Sequence, residues 1–486
     1  MYLISRKISI TLSILLIQKE VIKLIIKRIH IEAYKLFQEF DVEFNNPKQK
    51  YFKNLNLSIL VGENGTGKTT LLKAISSKFC PASFRDYNDK ISKIDIEYEI
   101  ENTIVRAGDD NSAKIAPVKL ITSSFAVFDK HSPIPEWVLK RKRERENIEL
   151  DKTKYVYCGP IEEHHGSVDL IIESIFNILS NNEEIKVDKY YDLMDKIGYK
   201  ELLYVEMDYH NLRQQKQKIL SRTKSANYLQ KSPYDQLTDE ERDRILKYYE
   251  HAIRIREKIP VVKRIENGRF LIPINIFMQE LYKEYKNMIN MDMMCAVRNL
   301  HFISKFGNHV GLTEMSSGEI TMLFRLIPLI NEIENNSIII VDEPETHLHP
   351  RWSQGFIDYL VYLFGDYKAH IILATHSPTI ISDVPCECII GLMKNDNKIE
   401  QYEPSDRTLG AAATELLHDV FKVQETSSKY AISIRNRIGE LLKNENISKD
   451  ELRIAYDMYN DLGTNLEKYK LYKKYKKLLE TCYVEE

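Results

Sequence analysis

The run Gly62-Glu63-Asn64-Gly65-Thr66-Gly67-Lys68-Thr69 decides how the rest of this chain is read. An apolar stretch, Leu55 to Val61, leads straight into it, and Thr69 to Ser77 follows with helical spacing. Strand, glycine-rich turn and helix in that order is the context in which such a run cradles phosphate. Gly62, Gly65 and Gly67 let successive backbone N–H groups turn inwards toward an anion. Lys68 adds a point charge between β- and γ-phosphates, and the Thr69 hydroxyl is placed to coordinate Mg²⁺. The nucleotide-contacting set expected here is Gly62, Asn64, Gly65, Gly67, Lys68, Thr69 and Thr70.

Three later segments extend the reading. Ser337 to Val341 is an apolar strand whose carboxyl end delivers Asp342 and Glu343. Asp342 is the expected second metal ligand, and Glu343 is placed to polarise an attacking water as general base. Met315-Ser316-Ser317-Gly318-Glu319 opens a helix that continues through Leu323, Leu326, Ile327 and Ile330 at core spacing. Alone, Ser-Ser-Gly-Glu is a helix cap. Just upstream of a Walker B strand it becomes a signature: Ser316, Ser317 and Gly318 at a helix N-terminus favour an anion, here the nucleotide of a facing subunit. His376 follows the apolar strand Ile371 to Ala374 and is the expected second catalytic residue, a γ-phosphate switch. ATP and Mg²⁺ are therefore the expected cofactors, and a second copy of the chain the first expected partner.

In this order, these four segments resemble the ATP-binding-cassette (ABC) class of ATPases. Asp342-Glu343-Pro344-Glu345 with Leu348-His349-Pro350, and the opening Ile29-His30-Ile31-Glu32-Ala33-Tyr34-Lys35-Leu36-Phe37, are similar to AAA ATPases of the RecF/OLD/SMC-like branch. Within it, the insertion length and Thr414-Glu415-Leu416-Leu417 with Val420-Phe421 look like the PtuA-type ATPase subunits of Septu antiphage systems, which also accompany some retrons. That resemblance implies an α/β P-loop NTPase fold of the ABC-ATPase type with a helical insertion and a helical C-terminal region. It implies an ATP-sandwich homodimer and a separate HNH endonuclease partner (PtuB-like), acting in antiphage defence. One element departs from the pattern: the glutamine that senses Mg²⁺ in such ATPases is not identifiable within Ser123 to Asp129 or Tyr155 to Gly159. Tyr34 reads either as an adenine-stacking ring or as a half-buried strand residue.

The organisation expected is a leader over 1–23, an ATPase lobe over 24–165, a helical insertion over 166–290, a second ATPase lobe over 291–410, and a helical region over 411–486. For the leader two readings stand: a disordered segment, or one absent from the native protein. The second follows because Lys19-Glu20-Val21 is encodable as a ribosome-binding site ahead of a Leu24 start. A formal net charge of −2 gives no global pull toward nucleic acid, so any DNA contact is local. Lys140 to Arg145 and Lys468 to Lys477 are the two candidate stretches; in the second, Tyr472, Tyr475 and Leu479 recur at helical spacing and read better as a docking stripe. No apolar run approaches the roughly 20 residues that span a bilayer. Scattered cysteines, with a lone Cys386-x-Cys388, suit a reduced cytoplasmic protein. The stretch after Pro378 holds no compact acidic metal-ligand set, so any nuclease is expected on another chain. The alternatives are an ATPase acting directly on DNA in repair and a nucleotide-binding regulator without turnover.

Overall fold

A computed structural model describes residues 24–44, 51–84, 93–108, 115–124, 153–159, 167–181, 183–222, 237–259, 263–290, 297–396, 398–423, 428–444, 447–464 and 466–483. The leader, the basic run Lys140 to Arg145 and residues 125–129 lie outside them.

Strands β1 (Ile25–Tyr34) and β2 (Phe37–Glu43) form a hairpin whose side chains alternate between core and solvent. Strand β3 (Asn56–Gly62) is buried at every position, as a strand covered on both faces must be. Next come β4 (Ile94–Ile100), β5 (Thr103–Arg106), β6 (Lys119–Ser124) and β7 (Lys154–Tyr157). An antiparallel sheet of order β2-β1-β4-β5 lies on one side of the helix Lys68–Phe79. Ile29, Ile31 and Phe40 of that sheet share one apolar core with Leu71, Leu72 and Ile75 of the helix and with Leu60, Ile340 and Ile372 of the main sheet. Tyr34 is 2% exposed inside this core, so it is a packing residue and not an adenine platform.

Between the ATPase segments the chain departs from expectation. Helices Ser167–Ser180, Glu184–Ile197, Tyr209–Arg222 and Asp239–Lys258 are present. So are β8 (Tyr199–Asp208), β9 (Lys263–Arg264) and β10 (Arg269–Pro273), which join β11 (Val297–Ser304) and β12 (His309–Gly311) in an antiparallel sheet of order β12-β11-β8-β10-β9. The expectation of a helical insertion closing at residue 290 is corrected accordingly, because that boundary cuts a sheet. Leu203, Val205 and Met207 alternate with Tyr204, Glu206 and Asp208, a period-two signal set within a Lys- and Glu-rich stretch.

Strands β13 (Ser337–Asp342), β14 (Ala369–Ala374), β15 (Ile389–Asn395) and β16 (Lys398–Tyr402) complete the main sheet, of order β16-β15-β3-β14-β13-β6-β7. All its pairings are parallel except that of edge strand β16. This is a mixed α/β architecture built on a largely parallel sheet. The chain divides into two units at Ala411/Ala412. The second unit is helical and has its own small core of Ile438, Leu442, Ala455 and Leu479, joined by Tyr472 and Tyr475. The aromatic stripe of the basic C-terminal helix is thus a packing face, while Tyr469 stays 61% exposed. Among the described residues, no helix is long and apolar enough to cross a membrane.

His370 of β14 joins the main sheet to the β2-β1-β4-β5 sheet. Its Nδ1 accepts from the Ile26 backbone N–H at 3.1 Å, and its Nε2 lies 2.9 Å from the Ser58 hydroxyl. Complete burial, with a smaller contribution from Lys27, pushes it down to about 3. The unfolded chain therefore takes up this proton near pH 6.5 and the folded one does not, so the stability is fully present above pH 6.5 and is lost toward pH 3. Over that window His370 should remove about 1.4 kcal/mol per pH unit. Denaturation midpoints measured from pH 7.5 to 4.5 should fall less steeply in His370→Asn than in the wild type; equal slopes would contradict the assignment.

Candidate nucleotide-binding site

The site is built by strand register. Asp342 of β13 pairs with Ala374 of β14, and Ala374 pairs with Leu60 of β3. Leu60, Ala374 and Asp342 therefore lie side by side, and the segments leaving the three parallel strands share one edge. Beyond that edge the Thr375 N–H donates to the Leu60 carbonyl (3.1 Å), and the Glu343 N–H donates to the Ala374 carbonyl (2.9 Å).

Gly62, at φ 151°, leaves no room for a side chain: a Cβ there would overlap the Leu392 carbonyl oxygen of β15. Gly67, at φ 93°, is left-handed and caps the helix Lys68–Phe79; a Cβ on it would lie 2.7 Å from Leu36 and 2.8 Å from Phe37. At Gly65 space is open, so its φ of 84° is what calls for glycine. The resulting loop sets its amide groups ahead of a helix N-terminus, as anion binding requires. Lys68 is buried, and its ammonium donates to the Gly62 and Glu63 carbonyls at 2.9 and 3.1 Å. Burial lowers Lys68 to about 8, against the pull of Asp342, Glu343 and Glu345. Thr66 braces the turn by donating to the Glu63 carbonyl at 2.9 Å. Asn64 is exposed at the loop tip, Thr69 is half-buried, and Thr70 is turned into the core.

Asp342 is 1% exposed at the end of β13, while Glu343 is half-buried and left-handed at φ 49°. A non-glycine residue held in that region is strained. Glu345 holds the neighbouring turn: it accepts from the Thr375 hydroxyl at 2.9 Å and from the His376 N–H. Burial raises its carboxyl, and those same hydrogen bonds oppose the rise. His376 is pushed down to about 4 by burial and by Lys68, with Asp342 opposing. At neutral pH its ring is uncharged, so it offers one N–H donor without adding charge.

Arg325 was not singled out by sequence reasoning. It sits inside the helix Ser317–Glu332 at 1% exposure. Its guanidinium donates to the Glu343 carbonyl (3.2 Å) and the Thr346 carbonyl (2.8 Å). Burial brings it down to about 9, against the attraction of Glu345. A charged residue three positions after Met322, on an otherwise apolar stripe, was the available signal.

The signature residues are arranged separately. Ser316 caps the helix Ser317–Glu332 in a capping box with Glu319, and both Ser316 and Ser317 are exposed. Gly318 faces Trp352, which a Cβ would meet at 3.6 Å. Among the described residues, no hydrogen bond or ion pair joins Ser316 or Ser317 to Lys68 or Thr69. The structure thus brings the phosphate loop, Asp342-Glu343 and His376 together at one sheet edge. Oxygen donors at Thr69 and Asp342 suit Mg²⁺, and the side-chain-free cradle at Gly62 suits a polyphosphate.

A glycine-rich loop, a carboxylate pair and a histidine on three adjacent parallel strand ends define a P-loop ATPase site. Residues 24–381 match the AAA ATPase domain family, and the chain belongs to that family. Among relatives, protein ea59 of Escherichia phage lambda is 28% identical over 178 residues, covering 36% of this chain and 34% of that protein. The probable ATPase of retron Vc95 from Vibrio cholerae is 23% identical over 453 residues, covering 88% of this chain and 84% of that one. Septu protein PtuA of Bacillus thuringiensis is 26% identical over 164 residues, covering 30% of this chain and 41% of that one. The chain therefore spans about a third of ea59 and well under half of PtuA, but most of the retron ATPase.

Replacing Arg325 by Met keeps its volume in the helix and strips the Glu343 and Thr346 carbonyls of their donor. Each such loss costs about 1–3 kcal/mol. Arg325→Met should lower unfolding stability by about 3 kcal/mol and slow ATP turnover at least tenfold, with nucleotide binding at Lys68 changed little. Denaturation, turnover and titration with a fluorescent nucleotide measure the three; unchanged stability and turnover contradict the bracing role.

Proposed function

We propose that this chain hydrolyses ATP in composite sites shared by two copies, and that the cycle controls a separate HNH-type nuclease in antiphage defence. The observation that carries the reading is the convergence of the loop around Lys68, the Asp342-Glu343 pair and His376 on one sheet edge. In this account Gly62, Asn64, Gly65, Gly67, Lys68, Thr69 and Thr70 bind the phosphates of one ATP, and Thr69 and Asp342 hold Mg²⁺. When bound, the metal neutralises charge on the β- and γ-oxygens. Glu343 takes a proton from water as the water oxygen bonds to the γ-phosphorus and the bond to the bridging oxygen breaks, leaving ADP and phosphate. His376 donates its N–H to the γ-phosphate.

Ser316, Ser317 and Gly318 contribute to the nucleotide of the facing copy. Their exposure at the start of the helix Ser317–Glu332 supports a partner in trans. The defence role draws on the retron ATPase, whose match spans most of both chains, and on the shorter match to PtuA. A nuclease on another chain, cytoplasmic location and local DNA contact belong to the same reading. Direct action on DNA in repair is what a DNA-stimulated ATPase with no nuclease partner would indicate.

Glu343→Gln removes the base and keeps the shape. It should abolish turnover, by at least a hundredfold, and hold an ATP-bound dimer that wild-type protein forms only transiently. Size-exclusion chromatography with light scattering, with and without ATP, reads the outcome. Intact turnover in the variant would falsify the role given to Glu343.

A further inference from the structure

The capping box at the signature has a second anchor from outside its own helix. One Glu319 oxygen, Oε2, accepts from the Ser316 N–H at 2.8 Å and the Ser316 hydroxyl at 2.6 Å. The other, Oε1, accepts from the Tyr199 hydroxyl at 3.2 Å. Tyr199 is the first residue of β8 in the inserted sheet and is 4% exposed, its ring edge-on to Phe302 of β11 at 5.9 Å. Its backbone is fixed as well. Gly198 before it ends the helix Glu184–Ile197 at φ 102° and accepts from the Lys305 N–H at 2.9 Å, and Lys305 pairs with Asp195. The phenol is thus mounted on a rigid corner, 120 residues from the carboxylate that it meets.

We propose that Tyr199 is a positioning residue for the composite ATP site, through which the inserted sheet sets how much ATP the second copy needs. The inference rests on the dimer reading above. A capping box alone satisfies Ser316 and leaves the first turn free to fray at an exposed end. A buried phenol holding the second Glu319 oxygen fixes the carboxylate plane, and with it the first turn that presents Ser317. Trp352, from the segment after Glu343, also neighbours the signature turn: a Cβ on Gly318 would lie 3.6 Å from its ring. Whatever engages the inserted sheet can shift Tyr199 and so change trans binding without touching Lys68.

Tyr199→Phe keeps the ring and removes the hydroxyl. In the full chain it should raise the ATP concentration for half-maximal turnover about threefold to tenfold, with kcat within about twofold and thermal stability nearly unchanged. Fluorescent-nucleotide affinity of the monomer, which reports Lys68 and Thr69 in cis, should not move. Unchanged half-saturation in Tyr199→Phe, while Ser317→Arg abolishes dimerisation, overturns the inference and leaves the dimer reading standing. A fall in kcat that tracks a fall in melting temperature also overturns it, since a merely structural tyrosine would act so. If Ser317→Arg leaves ATP-dependent dimerisation intact, the dimer reading fails and this inference fails with it.

Discussion

The parallel register of β3, β14 and β13 is the constraint on which this molecule depends. Each strand is buried on both faces, so each is pinned by apolar side chains above and below as well as by its backbone ladder. A slip of one residue would turn every side chain to the opposite face. The pairing of Asp342 with Ala374, and of Ala374 with Leu60, fixes the height at which three chain segments leave the sheet. The lysine, the carboxylate pair and the histidine meet because the core allows no other alignment. The strain at Glu343 is tolerated for the same reason: its N–H is tied to β14 and its carbonyl to Arg325.

That scaffold explains which parts of the site could be read from sequence. Gly62, Gly67 and Lys68 were legible because local backbone need and chemistry coincide within a few residues. Asp342 and Glu343 were legible because an apolar strand must end somewhere, and two acids at its end are conspicuous. Arg325 and Glu345 were not. Arg325 looks like a polar position on a helix until its partners, 18 and 21 residues further on, are seen folded beneath it. Glu345 looks like one acid among several until Thr375 and His376 arrive from another strand. Links that depend on tertiary proximity leave little trace in composition or period.

The inserted segment shows the same limit at the level of the fold. Its Lys, Glu and Leu content favours helix, and helices do form, yet β8 lies between two of them. Strand β8 is held by β10 and β11, the latter from beyond the expected boundary. Long-range pairing overrode local propensity there. The consequence reaches the signature segment, because the first residue of that strand donates to Glu319 of its cap. At the C-terminal end the sequence was the better guide: the aromatic stripe around Tyr472 and Tyr475 has the spacing of a docking face, and it packs half-buried against the small core of the helical unit.

The central claim is that one active site needs two chains, with Lys68 from one and Ser317 from the other. Mixing two inactive variants tests it most directly. Lys68→Ala and Ser317→Arg should each lack turnover alone. Combined in equal amounts, they should form a mixed dimer with one intact composite site and recover up to about a quarter of wild-type turnover. No recovery on mixing, with both variants folded and the dimer formed, would contradict the account.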